Sequence, residues 1–267
     1  MLAIEHLSVE YYRGGKIIPA VNDVSLTIQK GESVGLVGES GSGKSTVALS
    51  ILRLIRPQEG RIISGKIFFE GQDLLALPSE AMRETRGRQI AMIFQDPFTS
   101  LNPVLRIREQ MEEVLTAHEG RGAKGERRTA TPLATRHSLF GSLERVQLDP
   151  ARALNAYPHQ LSGGQRQRVM IAMALLTQPE LILADEPTTA LDVLVQKDIL
   201  DLLFQLQRDT NVGMLFISHN LALVGQYTQR IAVMKEGAIV EEETPVHIFK
   251  NARHPYTRQL IAALPKI

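Results

Sequence analysis

A glycine-rich segment, residues 38–45, carries residue types that bind phosphate. It matches the pattern GxxxxGK[ST] at every required position, ending in Lys44 and Ser45. Glycines let the backbone point successive N–H groups at phosphate oxygens, and a following helix adds its positive N-terminal end. The pattern predicts that Lys44 reaches the outer phosphates of a nucleotide and that the Ser45 hydroxyl coordinates Mg²⁺.

Two adjacent carboxylates, Asp185 and Glu186, follow an apolar run at residues 181–184. A strand that ends in a carboxylate places Asp185 at a sheet edge, where it can reach a magnesium ion beside a phosphate loop. Glu186 then stands where a general base polarises the attacking water. Alone, such a pair is more often a solvated strand end or a helix cap, but the phosphate loop favours the chemical interpretation.

A third segment, residues 161–165, reads Leu-Ser-Gly-Gly-Gln and precedes a helical pattern from about residue 166 to 177. Ser162 can cap that helix, and the two glycines leave its first amide groups open to an anion. A lone Ser-Gly-Gly is often a plain turn. Its place before the acidic pair favours a second phosphate-binding helix start.

Strands and helices alternate around these motifs. Residues 33–37 are typical of a buried strand and lead directly into the glycine segment, and residues 46–55 have helical apolar spacing. Leu2, Ile4, Leu7 and Val9 are close to the period of two that strands show. Further strand signals lie at residues 24–28, 66–69, 90–94, 181–184, 214–217 and 231–234, and residues 193–208 are helical in pattern. The alternation predicts an α/β fold with a mostly parallel sheet.

Residues 96–177 are mostly helical in pattern, with one exception at residues 120–136. That section holds five basic residues and one acidic residue among small and polar ones. We interpret it as a solvent-exposed loop, and a basic contact patch is the alternative.

Composition excludes several classes of protein. The 267 residues are 43% hydrophobic and 22% charged, which is typical of a globular chain. A net charge of +1 argues against a nucleic-acid binder driven by overall charge. The absence of cysteine excludes disulfides, thiolate metal sites and a catalytic thiol. The longest aliphatic run, at residues 169–176, is far below the roughly twenty residues of a membrane span, and no signal peptide is recognisable, so we expect a cytoplasmic chain.

These motifs together resemble the ATP-binding subunits of ABC transporters over nearly the whole chain. Residues 38–45 match the Walker A loop, residues 181–186 the Walker B strand with its catalytic glutamate, and residues 161–165 the signature motif. Gln95 falls at the position of the Q-loop and residues 190–192 at that of the D-loop.

Three further positions extend the resemblance. His219 matches the switch histidine of the family. Tyr11 matches the aromatic residue that stacks on adenine, with Tyr12 as the alternative. Asn220 stands where the family usually has Asp. Because His219 itself is retained, we expect hydrolysis to survive, with the orientation of the switch residue in question.

The resemblance implies a P-loop NTPase fold of the ABC type in a single nucleotide-binding domain, residues 1–267. That fold has a RecA-like sheet, an N-terminal antiparallel β subdomain, an inserted helical subdomain at about 96–177 and a short C-terminal segment at about 245–267. The implied cofactors are ATP and Mg²⁺. The implied catalytic residues are Lys44, Gln95, Glu186 and His219, and the implied magnesium ligands are Ser45, Gln95 and Asp185. The implied nucleotide contacts are Tyr11, Gly38, Glu39, Ser40, Gly41, Ser42, Gly43, Lys44, Ser45, Thr46, Ser162, Gly163, Gly164, Gln165 and Asp192.

The resemblance also implies partners. In this family two ATP-binding subunits close head to tail, and each ATP lies between one Walker A loop and the other subunit's signature motif. Gln95 and the helices after it would transmit that closure to two membrane permease subunits. An extracytoplasmic solute-binding protein would deliver the solute to these permeases. The implied location is the cytoplasmic face of the inner membrane, where the chain would bind peripherally. No nucleic-acid partner is implied.

Four shorter segments resemble the peptide and nickel importer branch, whose ATPases commonly pair as unlike subunits: residues 98–103, 157–160, 185–192 and 253–257. Peptide-transporting members often carry a longer C-terminal extension with clustered cysteines, and this chain has none. This slightly favours import of nickel or a metal chelate, with dipeptide or oligopeptide import as the alternative. Two more distant alternatives are a soluble ABC ATPase outside transport and a binding-only domain, and the complete set of site residues argues against the latter.

Overall fold

The computed structural model describes residues 1–95, 100–118, 132–189 and 191–264. The chain divides into two compact units: unit 1 is Met1–Arg83 with Gly213–Ile267, and unit 2 is Glu84–Val212. Several predicted features lie partly or wholly outside the described residues, among them the loop at 120–136, the branch motifs at 98–103 and 185–192, and Ala190 of the D-loop. The described end of that loop, residues 132–136, is helical rather than a loop. The single-domain organisation and the bounds of the helical subdomain stay predictions.

Unit 1 combines two sheets with short helices. Its elements in chain order are β1 (Leu2–Arg13), β2 (Lys16–Ile28), β3 (Ser33–Val37), α1 (Lys44–Ile51), β4 (Gly60–Phe69), β5 (Gln72–Asp73), the start of α2 (Ser79–Arg88), β8 (Gly213–Ser218), α8 (Leu221–Tyr227), β9 (Arg230–Lys235), β10 (Ala238–Glu243), α9 (Pro245–Asn251) and α10 (Pro255–Ala262).

The N-terminal sheet is antiparallel, with the order β2-β1-β4-β5. The apolar pattern of β1 breaks between Ile4 and Leu7, and the pairing of this strand with its neighbours shifts register at the same place. His6 there has a left-handed φ of 52°, the geometry of a β-bulge. A Cβ on Gly65, on the neighbouring strand, would lie 2.6 Å from Leu7 Cα, so the bulge requires a glycine beside it. The predicted antiparallel N-terminal subdomain is confirmed.

The second sheet of unit 1 has the order β10-β9-β3-β8. The strand β3 is buried throughout and pairs in parallel with both β8 and β9, as its apolar run predicts. The edge strand β10 pairs antiparallel with β9. Its second half is a run of glutamates, and the sequence analysis missed it.

The helix α1 differs from its prediction at both ends. It begins at Lys44 and ends at Ile51, whereas the apolar spacing predicted residues 46–55. The chain leaves the helix because Arg53 adopts a left-handed φ of 50°, and its guanidinium donates to the carbonyl oxygen of Leu77 at 2.6 Å. A tertiary contact therefore ends this helix before the proline and glycine that follow.

Unit 2 combines a pair of strands with several helices. After the end of α2, which kinks at Arg86 and Gly87, its elements are β6 (Ile90–Ile93), α3 (Ile107–His118), α4 (Pro132–Arg145), α5 (Pro150–Asn155), a 3₁₀ turn (Pro158–Gln160), α6 (Gly163–Leu175), β7 (Leu181–Asp185) and α7 (Val193–Thr210). The strands β6 and β7 are parallel, with Ile93 opposite Ala184. The register therefore brings the ends of both strands to one edge, where Gln95 and Glu186 follow.

Leu139, Leu143 and Val169 are fully buried in the helical part of unit 2, where α4 packs against α5 and α6.

Within the ranges that the structure describes, every helix is too short or too polar to span a bilayer.

Candidate functional site

The lysine loop, residues 38–45, connects β3 to α1 in unit 1 and leaves little room for side chains at two of its glycines. A Cβ on Gly38 would clash with the carbonyl oxygen of Met234, and one on Gly43 would clash with that of Ala20. Gly43 also has a left-handed φ of 102°. The backbone of the loop is therefore packed against the sheet in a conformation that only glycine permits.

The side chain of Lys44 turns back into the loop. Its residue is only 5% exposed, and Nζ donates to the carbonyl oxygens of Gly38 and Glu39, both at 2.8 Å. The helix α1 starts at Lys44, and its N-cap is Gly43, which has no side chain to cover the first amide groups. The loop thus brings an ammonium group and uncapped backbone N–H groups to one place, as an anion-binding site requires.

Two hydrogen bonds hold the lysine loop from outside, and a third supports the turn that makes one of them. The N–H of Gly237, in the turn between β9 and β10, donates to the carbonyl oxygen of Ser42 at 3.1 Å, and the N–H of Asn22 donates to that of Gly237 at 2.8 Å. The N–H of Glu39 donates to the hydroxyl of Tyr256 on α10 at 3.0 Å. The sequence analysis missed all three, because the partners are distant along the chain.

His219 lies at the same sheet edge as the lysine loop. The strand register pairs Ser218 with Val37, so His219 and Gly38 directly follow neighbouring strand ends. Asn220 caps α8, and its Oδ1 accepts from the N–H groups of Ala222 and Leu223 at 3.0 and 3.3 Å. Asn and Asp cap helices about equally well, so the exchange at residue 220 retains the cap.

Tyr11 lies on β1, opposite Ile18 of β2 and Gly60 of β4. Two residues past Ile18, Ala20 places its carbonyl oxygen against Gly43 of the lysine loop. The strand beside Tyr11 therefore contacts the loop, and the stacking of Tyr11 on adenine stays a prediction. Its alternative, Tyr12, is 38% exposed.

In unit 2, the ends of β6 and β7 bring Gln95 and Glu186 together. The Nε2 of Gln95 donates to Glu186 Oε2 at 3.2 Å. The same oxygen accepts from Thr189 Oγ1 at 2.9 Å, a contact that the sequence analysis missed. Glu186 has a left-handed φ of 45°, an uncommon conformation for this residue type that occurs often at functional sites. Asp185, the last residue of β7, is buried.

The segment after Glu186 is ordered by its own side chains. Asp192 caps α7, with Oδ1 accepting from the N–H of Val195 at 3.1 Å. The amide of Gln196 donates to Thr188 Oγ1 at 2.9 Å. Asp192 therefore has a structural role as a helix cap, and its predicted nucleotide contact stays a prediction.

The serine–glycine turn, residues 161–165, starts α6 with a reciprocal capping box. Ser162 Oγ accepts from the N–H of Gln165 at 3.3 Å, and Gln165 Oε1 accepts from the N–H of Ser162 at 3.0 Å. The cap by Ser162 is confirmed, but the helix begins at Gly163 rather than near residue 166. A Cβ on Gly164 would lie 2.7 Å from Val195 Cγ1, so this glycine also allows α6 to approach the start of α7.

The oxygen donors of Ser45, Gln95 and Asp185 are the type that Mg²⁺ prefers. Among the residues that the structure describes, no group of three or more His, Asp or Glu side chains could hold a metal ion. Mg²⁺ usually binds one or two protein carboxylates and takes its other ligands from phosphates and water.

A buried parallel strand, a glycine loop with an inward lysine and a helix with an uncapped start define the class of P-loop nucleotide-binding proteins. Comparison with known proteins defines the family. The family model described as "ABC transporter" matches residues 21–189. The chain therefore belongs to the ABC transporter family.

Two relatives and one solved structure are similar over nearly all of this chain. An ABC transporter ATP-binding protein of Escherichia coli K12, YejF, is 50% identical over 99% of this chain and 49% of its own length. The dipeptide transport ATP-binding protein DppD of Bacillus subtilis 168 is 42% identical over 100% of this chain and 77% of its own. The ATP-binding cassette MJ0796, solved as a dimer in a post-hydrolysis state with ADP and Pi, has a TM-score of 0.78 at 31% identity, covering 92% of this chain and 99% of that one.

These comparisons confirm the predicted fold class, a P-loop fold of the ABC type. The chain spans about half the length of its YejF relative from Escherichia coli, 49%. The activity and partners of the whole protein are therefore matters of proposal.

Proposed function

We propose that this chain is the ATP-hydrolysing subunit of an ABC importer, and that peptides are its class of solute. The observation that carries the proposal is the lysine loop, in which the buried ammonium of Lys44 and uncapped N–H groups of α1 form an anion site. Membership of the ABC transporter family gives that site its ligand, ATP with Mg²⁺. The ADP and Pi bound to the MJ0796 cassette support the same ligand class.

The roles of the lysine loop and of two residues outside it, Asp185 and Gln95, follow from their chemistry. Lys44 donates to the outer phosphate oxygens, and the backbone N–H groups of the loop contact the remaining ones. Ser45 and Asp185 hold Mg²⁺, with Gln95 as a further ligand. The ion, when bound, neutralises negative charge that accumulates on the phosphate oxygens during hydrolysis.

Glu186 is the general base for the attacking water. His219, the switch histidine, is a further catalytic residue. In the structure the Glu186 carboxylate accepts hydrogen bonds from Gln95 and Thr189. These two donors orient the carboxylate through one of its two oxygens, Oε2.

The serine–glycine turn serves the partner subunit in this proposal. Ser162 Oγ accepts from the N–H of Gln165, so its own O–H proton is left to donate to a phosphate oxygen. A second ATP-binding subunit, unlike this one, supplies the ATP that this turn contacts, in a head-to-tail pair. ATP then favours the closed pair, and hydrolysis allows it to open. Two permease subunits and a solute-binding protein complete a transporter to which this chain binds peripherally, on the cytoplasmic face of the membrane.

The comparisons favour peptides over nickel as the solute. Within the branch, the sequence left nickel or a metal chelate slightly preferred, whereas the name of the Bacillus subtilis relative specifies dipeptide transport. The same branch motifs fit either solute, so the preference for nickel is replaced by a proposal of peptide import.

Uptake of labelled solutes by cells lacking the gene tests this proposal. We expect loss of labelled dipeptide or oligopeptide uptake with normal ⁶³Ni²⁺ uptake, restored by the wild-type gene and not by Lys44→Ala. Normal peptide uptake with impaired nickel uptake would reverse the choice of solute. Normal uptake of both, together with an absence of ATP hydrolysis by the purified protein, would contradict the proposal as a whole.

A further inference from the structure

The peptide group between Gly38 and Glu39 is held from two sides. Its carbonyl oxygen, on Gly38, accepts from Lys44 Nζ at 2.8 Å. Its N–H, on Glu39, donates to the Tyr256 hydroxyl at 3.0 Å. Since the peptide group is planar, a bond to the N–H also fixes the direction of the carbonyl that orients the lysine.

Tyr256 is placed for this contact by the segment around it. The Glu241 carboxylate, on the edge strand β10, accepts from the N–H groups of Arg253 and His254 at 2.7 and 3.1 Å. The ring of His254 then caps α10, with Nδ1 accepting from the N–H of Tyr256 at 3.2 Å. One carboxylate and one helix cap thus determine where the tyrosine enters the unit.

The environment of the tyrosine ring fixes it further. Tyr256 is only 4% exposed, and the ammonium of Lys235 lies 5.2 Å from the centre of its ring. Burial raises the pKa of the Tyr256 phenol above its ordinary value, which keeps the hydroxyl neutral at physiological pH. Burial also acts to raise the pKa of Glu241, but hydrogen bonds, first that from the N–H of Arg253, outweigh it and lower the pKa. The carboxylate therefore stays charged and keeps the segment in place.

We propose that Tyr256 is a positioning residue for the lysine loop, and that its hydroxyl sets the affinity of the loop for ATP by fixing the Gly38–Glu39 peptide group. The inference rests on the proposed function, because it assumes that Lys44 contacts ATP. Without the hydroxyl, the Glu39 N–H loses its partner in a part-buried place, and rotation of the peptide group to find another moves the Gly38 carbonyl away from Lys44. The C-terminal segment thereby acts on nucleotide binding without touching the nucleotide.

The substitution Tyr256→Phe tests this directly, since it removes one oxygen and keeps the buried ring. We expect the dissociation constant for MgATP to rise roughly 5- to 30-fold in the full chain, as measured by calorimetry. The KM for ATP should rise by a similar factor while kcat changes less than about twofold, because Glu186 and its donors are untouched.

A second measurement separates positioning from simple stability. Hydrogen exchange at the Glu39 amide, in the absence of nucleotide, should be slow in the wild type and at least about tenfold faster in Tyr256→Phe.

The control variant is Arg258→Ala on the same helix. It removes the hydrogen bond from Arg258 Nε to the Ala252 carbonyl oxygen, 2.8 Å, and leaves the Tyr256 hydroxyl in place. We expect it to lower the melting temperature without changing MgATP affinity or Glu39 exchange.

The outcomes distinguish this inference from the proposed function. Unchanged MgATP affinity in Tyr256→Phe would overturn the inference, as would an equal loss of affinity in Arg258→Ala. Wild-type protein that does not bind MgATP would instead contradict the proposed function.

Discussion

The lysine loop of unit 1 and the serine–glycine turn of unit 2 both combine glycines with the start of a helix, but they treat the first amide groups differently. In the lysine loop the N-cap is Gly43, and the amide groups of α1 have no capping side chain. In the serine–glycine turn, Ser162 and Gln165 satisfy each other's backbone N–H groups.

This difference separates the two roles: the lysine loop sets the affinity of this subunit for an anion, and the serine–glycine turn adds to an anion held by a partner. Amide groups without a capping side chain, beside a buried ammonium, favour the binding of an anion. In the serine–glycine turn the capping box occupies two of the N–H groups at the helix start, so the turn offers fewer donors and contributes to an anion that another subunit already holds. We therefore expect changes in the lysine loop to affect nucleotide affinity, changes at Glu186 to affect catalysis, and changes in the serine–glycine turn to affect stability or association.

The largest effect should come from Glu186→Gln in unit 2. Glutamine keeps the size of the side chain but cannot accept a proton from water, so we expect ATP hydrolysis to fall at least about 100-fold. Affinity for MgATP should stay within about twofold of wild type, because the lysine loop is intact. Phosphate release and equilibrium binding measure the two quantities, and an unchanged turnover would remove Glu186 from the role of base.

The stability of the segment that supports the lysine loop should depend on the negative charge of Glu241. Glu241→Gln replaces a carboxylate that accepts from two backbone N–H groups, and we expect the free energy of unfolding at pH 7 to fall by about 1.5–3 kcal/mol. Because folding lowers the pKa of Glu241 below its ordinary 4.5, its stabilisation is complete above that pH and is lost as the pH falls through the folded value.

Denaturant titrations at a series of pH values check this prediction. The difference between wild type and Glu241→Gln should be constant above pH 4.5 and shrink below it. Glu236→Gln, at a carboxylate with a side chain 85% exposed on the same hairpin, is the control and should leave stability unchanged. A pH-independent difference would show that shape, not charge, explains the effect of Glu241.

The smallest effect should come from Ser162→Ala in the serine–glycine turn. Loss of the cap should lower the free energy of unfolding by about 1 kcal/mol, as seen in thermal or denaturant unfolding. Ser162→Thr keeps the hydroxyl and should retain most of that stability. Affinity of the single chain for MgATP should stay unchanged in both variants, and a marked loss in Ser162→Ala would contradict the separation of roles.

Motifs with local chemistry could be predicted from the sequence. The lysine loop, the strand before the acidic pair and the cap at Ser162 depend on residues that are neighbours in the chain, so their patterns were sufficient. The contact of Gln95 with Glu186 was not predicted, although both residues follow strands that the sequence indicated.

Features that depend on distant partners could not be predicted. The Tyr256 hydroxyl meets the Glu39 amide across 217 positions of the chain, and nothing near either residue signals the other. The early end of α1 at Ile51 follows from a guanidinium contact with Leu77. The strand β10 was missed because an edge strand tolerates the charged residues that a buried strand excludes.

The central claim is that the lysine loop holds the phosphates of ATP, and calorimetric titration of Lys44→Ala with MgATP tests it most directly. Lys197→Ala, which removes a lysine whose side chain is 65% exposed on α7, is the matched control. We predict an affinity at least about 100-fold weaker for Lys44→Ala and unchanged for Lys197→Ala. Equal affinity of Lys44→Ala and wild type for MgATP would contradict the account.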